Sequence, residues 1–273
     1  MIPNVLSIAG SDPSGGAGIQ ADLKTFSALG CYGMTALTAL TAQNTRGVTA
    51  VHVPPPAFLG AQLDALLSDV AVAAVKIGML ATGEMAKVVA SRLAAYPDLP
   101  VVLDPVLVAT SGDSLGSPDV VDAMLEHLLA LAAVITPNLP EAARLAGHPI
   151  AQDEDGMRAT AAVLRGRGAR AVLIKGGHLE SGDAVDVLSY GTEIQLFRAP
   201  RLPTRNTHGT GCTLSSAITA YLARRLALVD AVGAAKTYVT AAIAASGSLN
   251  VGGGHGPVHH FHAAWPVPEG ELR

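Results

Sequence analysis

The chain has 273 residues, of which 49% are hydrophobic, and a formal net charge of −4. Its length fits one large α/β domain or two small ones, and its apolar content excludes a disordered chain. The mild negative balance gives no electrostatic reason to expect nucleic acid or an anionic membrane as a partner.

Two cysteines, Cys31 and Cys212, do not make a disulfide framework, so a reducing, cytoplasmic setting is expected. The N-terminus lacks the basic start and longer apolar run of a signal peptide, and no uninterrupted apolar stretch reaches the length of a bilayer span.

In chain order, residues 5–9 are a short apolar run closed by Gly10, which predicts a buried first strand. A glycine-rich loop from Gly10 to Gly18 leads into an amphipathic helix at 19–29. The loop lacks both the Lys-Ser/Thr pair of a Walker motif and the Gly-x-Gly-x-x-Gly spacing. It reads either as a tight βα turn or as a loop shaped to let a ligand touch backbone, with Asp22 reaching in from the helix. Residues 34–42 fit strand or helix, 48–53 a further strand, and 57–70 a helix after three prolines.

From there the alternation is regular. Apolar runs at 73–79, 101–103, 133–136 and 171–174 are separated by helical patterns at about 83–95, 118–131, 139–146 and 155–167. Continuous apolar strands between helices predict a mostly parallel sheet covered on both faces, one doubly wound α/β domain over 1–273. Residues 184–200 break the pattern and predict an antiparallel edge hairpin. Two helices, 210–226 and 229–249, precede a glycine-rich tail with His259, His260 and His262, read as ordered packing rather than a metal site.

Before the first of those helices lies Asn206-Thr207-His208-Gly209-Thr210-Gly211-Cys212. A glycine turn feeding a helix start exposes unpaired N–H groups in the positive field of the helix, an anion site. Cys212 stands at its mouth, where the same field would favour a thiolate. Alternatively, it is a small residue packed under a helix. His208, four residues earlier, is not expected to pair with it, because the turn between them is glycine-rich.

Ligands of open parallel sheets sit at the carboxyl ends of the strands. The apolar runs end in Gly78-Met79, Asp104-Pro105, Asn138 to Glu141, and Lys175-Gly176-Gly177-His178. Each has a plain local explanation; Asn138 and Glu141, for example, have the spacing of a capping box. An acidic residue, an Asn/Glu pair, a lysine and an anion loop on one rim are together the parts of Mg²⁺-assisted phosphoryl transfer.

These stretches, with residues 9–24, 39–45, 76–80 and 256–260, resemble the hydroxymethylpyrimidine/phosphomethylpyrimidine kinases of thiamin biosynthesis, in the ribokinase-like superfamily. The resemblance runs end to end and is weakest at 184–200. It implies ATP-dependent phosphorylation of 4-amino-5-hydroxymethyl-2-methylpyrimidine and of its monophosphate, a homodimer, and Mg²⁺. It places Cys212 as the catalytic cysteine, with Gly209, Thr210 and Gly211 forming the anion hole. It puts Lys175 on the ATP phosphates, with Asn138, Thr207 and Gly209 also at the nucleotide, and Asp104 and Glu141 organising Mg²⁺ and its waters.

Gln43 offers a donor and an acceptor side by side, complementary to a ring nitrogen and amine of an aminopyrimidine. Gly10, Asp22, Met79 and Val106 complete that pocket. Pyridoxal or pyridoxine kinase, or an enzyme using both vitamins, is the nearest rival. A non-catalytic pyrimidine-binding protein and a cysteine hydrolase are more distant ones.

Overall fold

A computed structural model describes residues 1–107, 116–177, 179 and 182–265. His178, at the end of the lysine motif, lies outside the described residues.

β1 (Asn4–Ser11) leads through the glycine loop into α1 (Gly18–Ala28). β2 (Tyr32–Asn44) and β3 (Gly47–His52) form a hairpin, which resolves the ambiguous 34–42 segment as strand. There follow α2 (Pro56–Leu67), β4 (Ala74–Ile77), α3 (Gly83–Leu93) and β5 (Val101–Leu103). The helix predicted at 118–131 is one α turn, α4 (Val120–Ala123), widening into a π turn at Met124–Leu128. β6 (Val134–Ile135), α5 (Leu139–Ala146), α6 (Glu154–Gly166) and β7 (Ala171–Lys175) complete the alternation. The edge hairpin is β8 (Ala184–Tyr190) and β9 (Glu193–Ala199), followed by α7 (Thr210–Ala223) and α8 (Leu228–Ala244).

Among the described residues nine strands join one sheet in the order β3-β2-β1-β4-β5-β6-β7-β8-β9. The five strands from β1 to β7 in the centre and β2 beside them run parallel, and antiparallel hairpins finish both edges. Alternate side chains serve the two faces, as the pleat requires. Val101, Leu103, Val172 and Ile174 join the core under α2 to α6, whereas Val102, Ala171 and Leu173 join the one under α7 and α8. Burial on both faces is why these strands read as unbroken apolar runs.

The expectation about apolar length needs correction. Leu228–Ser248 spans 21 residues at a mean hydropathy of 1.3, long and apolar enough by composition to cross a membrane. The cause is its alanine and valine content; Val232, Ala235 and Val239 pack with α7, and Lys236 pairs with Asp186 of β8 at 2.7 Å.

Candidate active site

The parallel strands deliver their carboxyl ends to one rim, and the side chains there converge on Asp104. This residue follows β5 and is fully buried. Its Oδ1 accepts from Lys175 Nζ at 2.8 Å and from Thr136 Oγ1 at 3.1 Å, and its Oδ2 accepts from Ser215 Oγ at 3.1 Å. Thus the ends of β5, β6 and β7 and the second turn of α7 meet at one carboxylate. Burial alone would raise the Asp104 carboxyl, but Lys175 and Lys76 outweigh it and hold it below the usual range. Asp104 was expected, with Glu141, to organise Mg²⁺ and its waters. Both of its oxygens are engaged by protein donors, and through one of them it orients Lys175.

Lys175 stands beside the start of α7, since a Cβ on Gly211 would lie 3.2 Å from Lys175 Nζ. Gly209, at φ +74°, precedes the helix, which begins without a side-chain cap. The Thr210 N–H and hydroxyl turn back to Thr207 O, while the next amides, of Gly211 and Cys212, lie in the first turn, where a helix leaves N–H groups without an internal acceptor. A lysine and these amides therefore surround one small volume, an arrangement suited to a phosphoryl group.

Cys212 is partly exposed, and its sulfur accepts from the Gly18 N–H. The expectation of a thiolate is not met in the ligand-free protein. Burial pushes the Cys212 thiol up to about 11, with Asp22 and Asp104 adding to the push and Lys76 opposing it. Desolvation outweighs the helix field here.

Below Cys212 lies a buried ion pair that sequence reasoning missed. Lys76, on β4, is fully buried and donates to both oxygens of Asp22 at 3.0 and 2.9 Å. The same carboxylate accepts from Ser7 Oγ at 2.5 Å and Ser216 Oγ at 2.6 Å. Asp22 was expected to line the substrate pocket; with no exposed surface and three donors making four hydrogen bonds to it, it supports the floor instead. A lysine inside the apolar run 73–79 was the available signal, because a buried charge demands a partner.

Two glycine loops are pressed together above this floor. A Cβ at Gly209 would overlap the Gly16 carbonyl oxygen, and one at Gly16 would overlap the His208 ring. His208 Nε2 lies 2.8 Å from Asp12 Oδ2, both residues being buried. His208 thus joins the loops, and it is Asp12, not Cys212, that it pairs with. The tail closes the same seam: His208 N–H donates to Gly256 O, and His260 Nε2 lies 3.1 Å from Thr213 Oγ1. Burial lowers His260 to about 3, so its ring is neutral. Among the described residues no group of three His, Cys, Asp or Glu could hold a metal, the C-terminal histidines included.

On the other wall, Met79 is buried against Gly10, whose Cβ would sit 3.1 Å from Met79 Sδ. Gln43 lies on β2 beyond the end of β1, at an irregularity in the pairing with β3. The Thr41 hydroxyl lies 3.1 Å from Gln43 Oε1 and 2.8 Å from Ser11 O, tying this part of β2 to the glycine loop. Val106 sits half-buried, two residues beyond Asp104.

Asn138 and Glu141 form a complete capping box on α5. Burial pushes the Glu141 carboxyl up to about 7, and Asp104 adds to this although Lys175 opposes it. Two carboxylates beside one lysine leave a negative surplus that a hydrated Mg²⁺ would offset; such an ion needs only one or two protein carboxylates. The donor set fits that ion through Glu141 and through water, with Asp104 one step removed.

The model of the family described as phosphomethylpyrimidine kinase matches residues 12–259. The hydroxymethylpyrimidine/phosphomethylpyrimidine kinase of Rhizobium meliloti is 55% identical over 260 residues, covering 95% of this chain and 97% of that protein. Among solved structures, phosphomethylpyrimidine kinase from Clostridium difficile is 42% identical with a TM-score of 0.78, over 88% of this chain and 99% of that one. Pyridoxal kinase from Staphylococcus aureus, in complex with AMP-PCP and pyridoxal, is 36% identical with a TM-score of 0.88, over 96% and 94%.

Proposed function

The chain belongs to the phosphomethylpyrimidine kinase family, and we propose that it phosphorylates hydroxymethylpyrimidine and then its monophosphate, using ATP, for thiamin biosynthesis. It is a phosphotransferase of the ribokinase-like fold. The observation that carries the reading is the meeting of Lys175, Asp104 and the α7 N-terminus, opposite Gly10 and Met79 on the same rim.

In the proposed mechanism the γ-phosphoryl group lies against the amides of Gly211 and Cys212, with Lys175 balancing its charge. The pyrimidine packs on Met79 beside Gly10 and presents its ring nitrogen and amine to Gln43. The substrate hydroxyl points at Cys212, whose thiolate, the form competent as a base, receives its proton as the oxygen attacks the γ-phosphorus and the bond to the bridging oxygen breaks to release ADP. Mg²⁺, held through Glu141 and water, would offset charge on the phosphates. Asn138 and Thr207 complete the nucleotide side. Most of the rate comes from positioning and from charge stabilisation.

Two further readings belong to this proposal. The chain acts as a homodimer, supported by edge strand β3 and its neighbours, where Tyr32, Leu40, Val51, Val53 and Phe58 are exposed. It works in the cytoplasm, in keeping with two unpaired cysteines.

Replacing Cys212 with Ala should lower turnover by about 10²- to 10⁴-fold, the usual worth of a positioned base, with the circular dichroism spectrum unchanged. Wild-type rates in that variant would remove the sulfur from the mechanism. Parallel assays with hydroxymethylpyrimidine and pyridoxal, resolving mono- and diphosphate products, test the substrate; faster use of pyridoxal would favour vitamin B6 salvage.

A further inference from the structure

Cys212 must accept a proton, yet burial makes its thiol a reluctant acid. The fold places a cation where it can correct this. Cys212 and Ser216 are one turn apart on α7, and Gly18 and Asp22 are one turn apart on α1. Gly18 N–H donates to the Cys212 sulfur, and Ser216 Oγ donates to Asp22. The two helices therefore share a ladder of two rungs, separated by about 5–6 Å, the rise of one α-helical turn. Lys76 Nζ is fixed to the lower rung by both Asp22 oxygens. Gly78 closes the cradle, since a Cβ there would lie 2.6 Å from Lys76 Nζ.

We infer that Lys76 is a positioning residue for the kinase reaction, its ammonium clamped one helical turn beneath Cys212 so as to set how readily that thiol ionises. The inference rests on the proposed role of Cys212. Four charged groups act on the sulfur: Lys76 from β4, Asp22 from α1, Asp104 after β5 and Lys175 at the end of β7. Lys175 and Asp104 hold each other, and Lys175 faces the phosphate site. Lys76 faces no such site: it is sealed in and held by Asp22, so its charge is not screened by water and acts on Asp104 and on the thiol. The pull of Lys76 on the thiol exceeds the opposing push of Asp22.

The test reads thiol ionisation directly, on the full ligand-free chain. Iodoacetamide modification of Cys212 is followed by mass spectrometry from about pH 7 to about pH 12, with buried Cys31 as the reference in the same digest. Lys76→Met should move the inflection to higher pH and slow modification below it about tenfold for each unit moved. Asp22→Asn should move it to lower pH. Opposite directions are not produced by simple loosening, which would expose the thiol in both variants. Shifts in the same direction, or none, would overturn the inference.

Where a single variant fails to fold, the double variant Lys76→Met/Asp22→Asn removes both charges and strands neither. Its inflection should lie above that of the wild type, and an unchanged profile would refute the role. Turnover of Cys212→Ala judges the catalytic reading separately, because alkylation profiles do not depend on it.

Discussion

Glu141 closes the capping box of α5 and also stands beside Asp104 and Lys175, so its charge is set by the site while its backbone bond serves the helix. Its folded value of about 7 is above the ordinary 4.5. A raised carboxyl stabilises the fold at low pH and loses that contribution as pH rises from about 4.5 through about 7. Gln keeps the reciprocal cap. Glu141→Gln should therefore raise the ligand-free melting temperature at pH 8, with the gain vanishing near pH 5, and should raise the Mg²⁺ concentration needed for half-maximal rate. An equal melting shift at both pH values would contradict the assignment.

The cap itself was legible because Asn-x-x-Glu is a local spacing. The Lys76–Asp22–Ser216 cluster was not, since its members are far apart in sequence and only the fold brings them together. The charge of Cys212 was misread for a related reason: a helix start is visible in sequence, but the depth of burial is not.

Among elements, the contact of the two glycine loops decides most about the site. Gly209 needs both its positive φ and its missing side chain. Gly209→Ala should cost on the order of 1–3 kcal/mol from backbone strain alone, lower the melting temperature, and reduce turnover far more than Thr210→Ala. A Gly209→Ala enzyme with native stability would mean that the loops are not pressed together. The loop-then-helix pattern of each element was readable from glycine spacing. Their mutual docking was not, because His208 and Asp12 are separated by most of the chain. β2 stayed ambiguous because Thr, Ala and Leu suit either state; its pairing with β1 on one side and β3 on the other settles it as strand.

At the scale of the molecule, the alternation of apolar strands and helices sufficed to foresee the parallel sheet, and the break at 184–200 to foresee one antiparallel edge. The second antiparallel edge, β2–β3, was less visible because a polar turn at 43–47 is common to many connections. That edge carries the apolar residues assigned to self-association. Val51→Lys, on the solvent side of β3, should shift the chain toward monomer by roughly tenfold or more in dissociation constant, read by sedimentation velocity. An unchanged assembly state would place any interface elsewhere.

The C-terminal strap adds one constraint. Gly254 N–H and His255 N–H bond to Thr45, next to the turn that follows Gln43, and Gly256 O accepts from His208 beside the anion loop. The jaw proposed to grip the heterocycle and the jaw proposed to hold the transferred group are thus lashed into one frame of fixed gauge. In the proposed second turnover the acceptor is longer by a phosphate, and a rigid frame gives it no added room. The slack must come from the opposite bank, where Lys175 and Glu141 stand, so crystals soaked with the monophosphate should show displacement there and stillness along the strap.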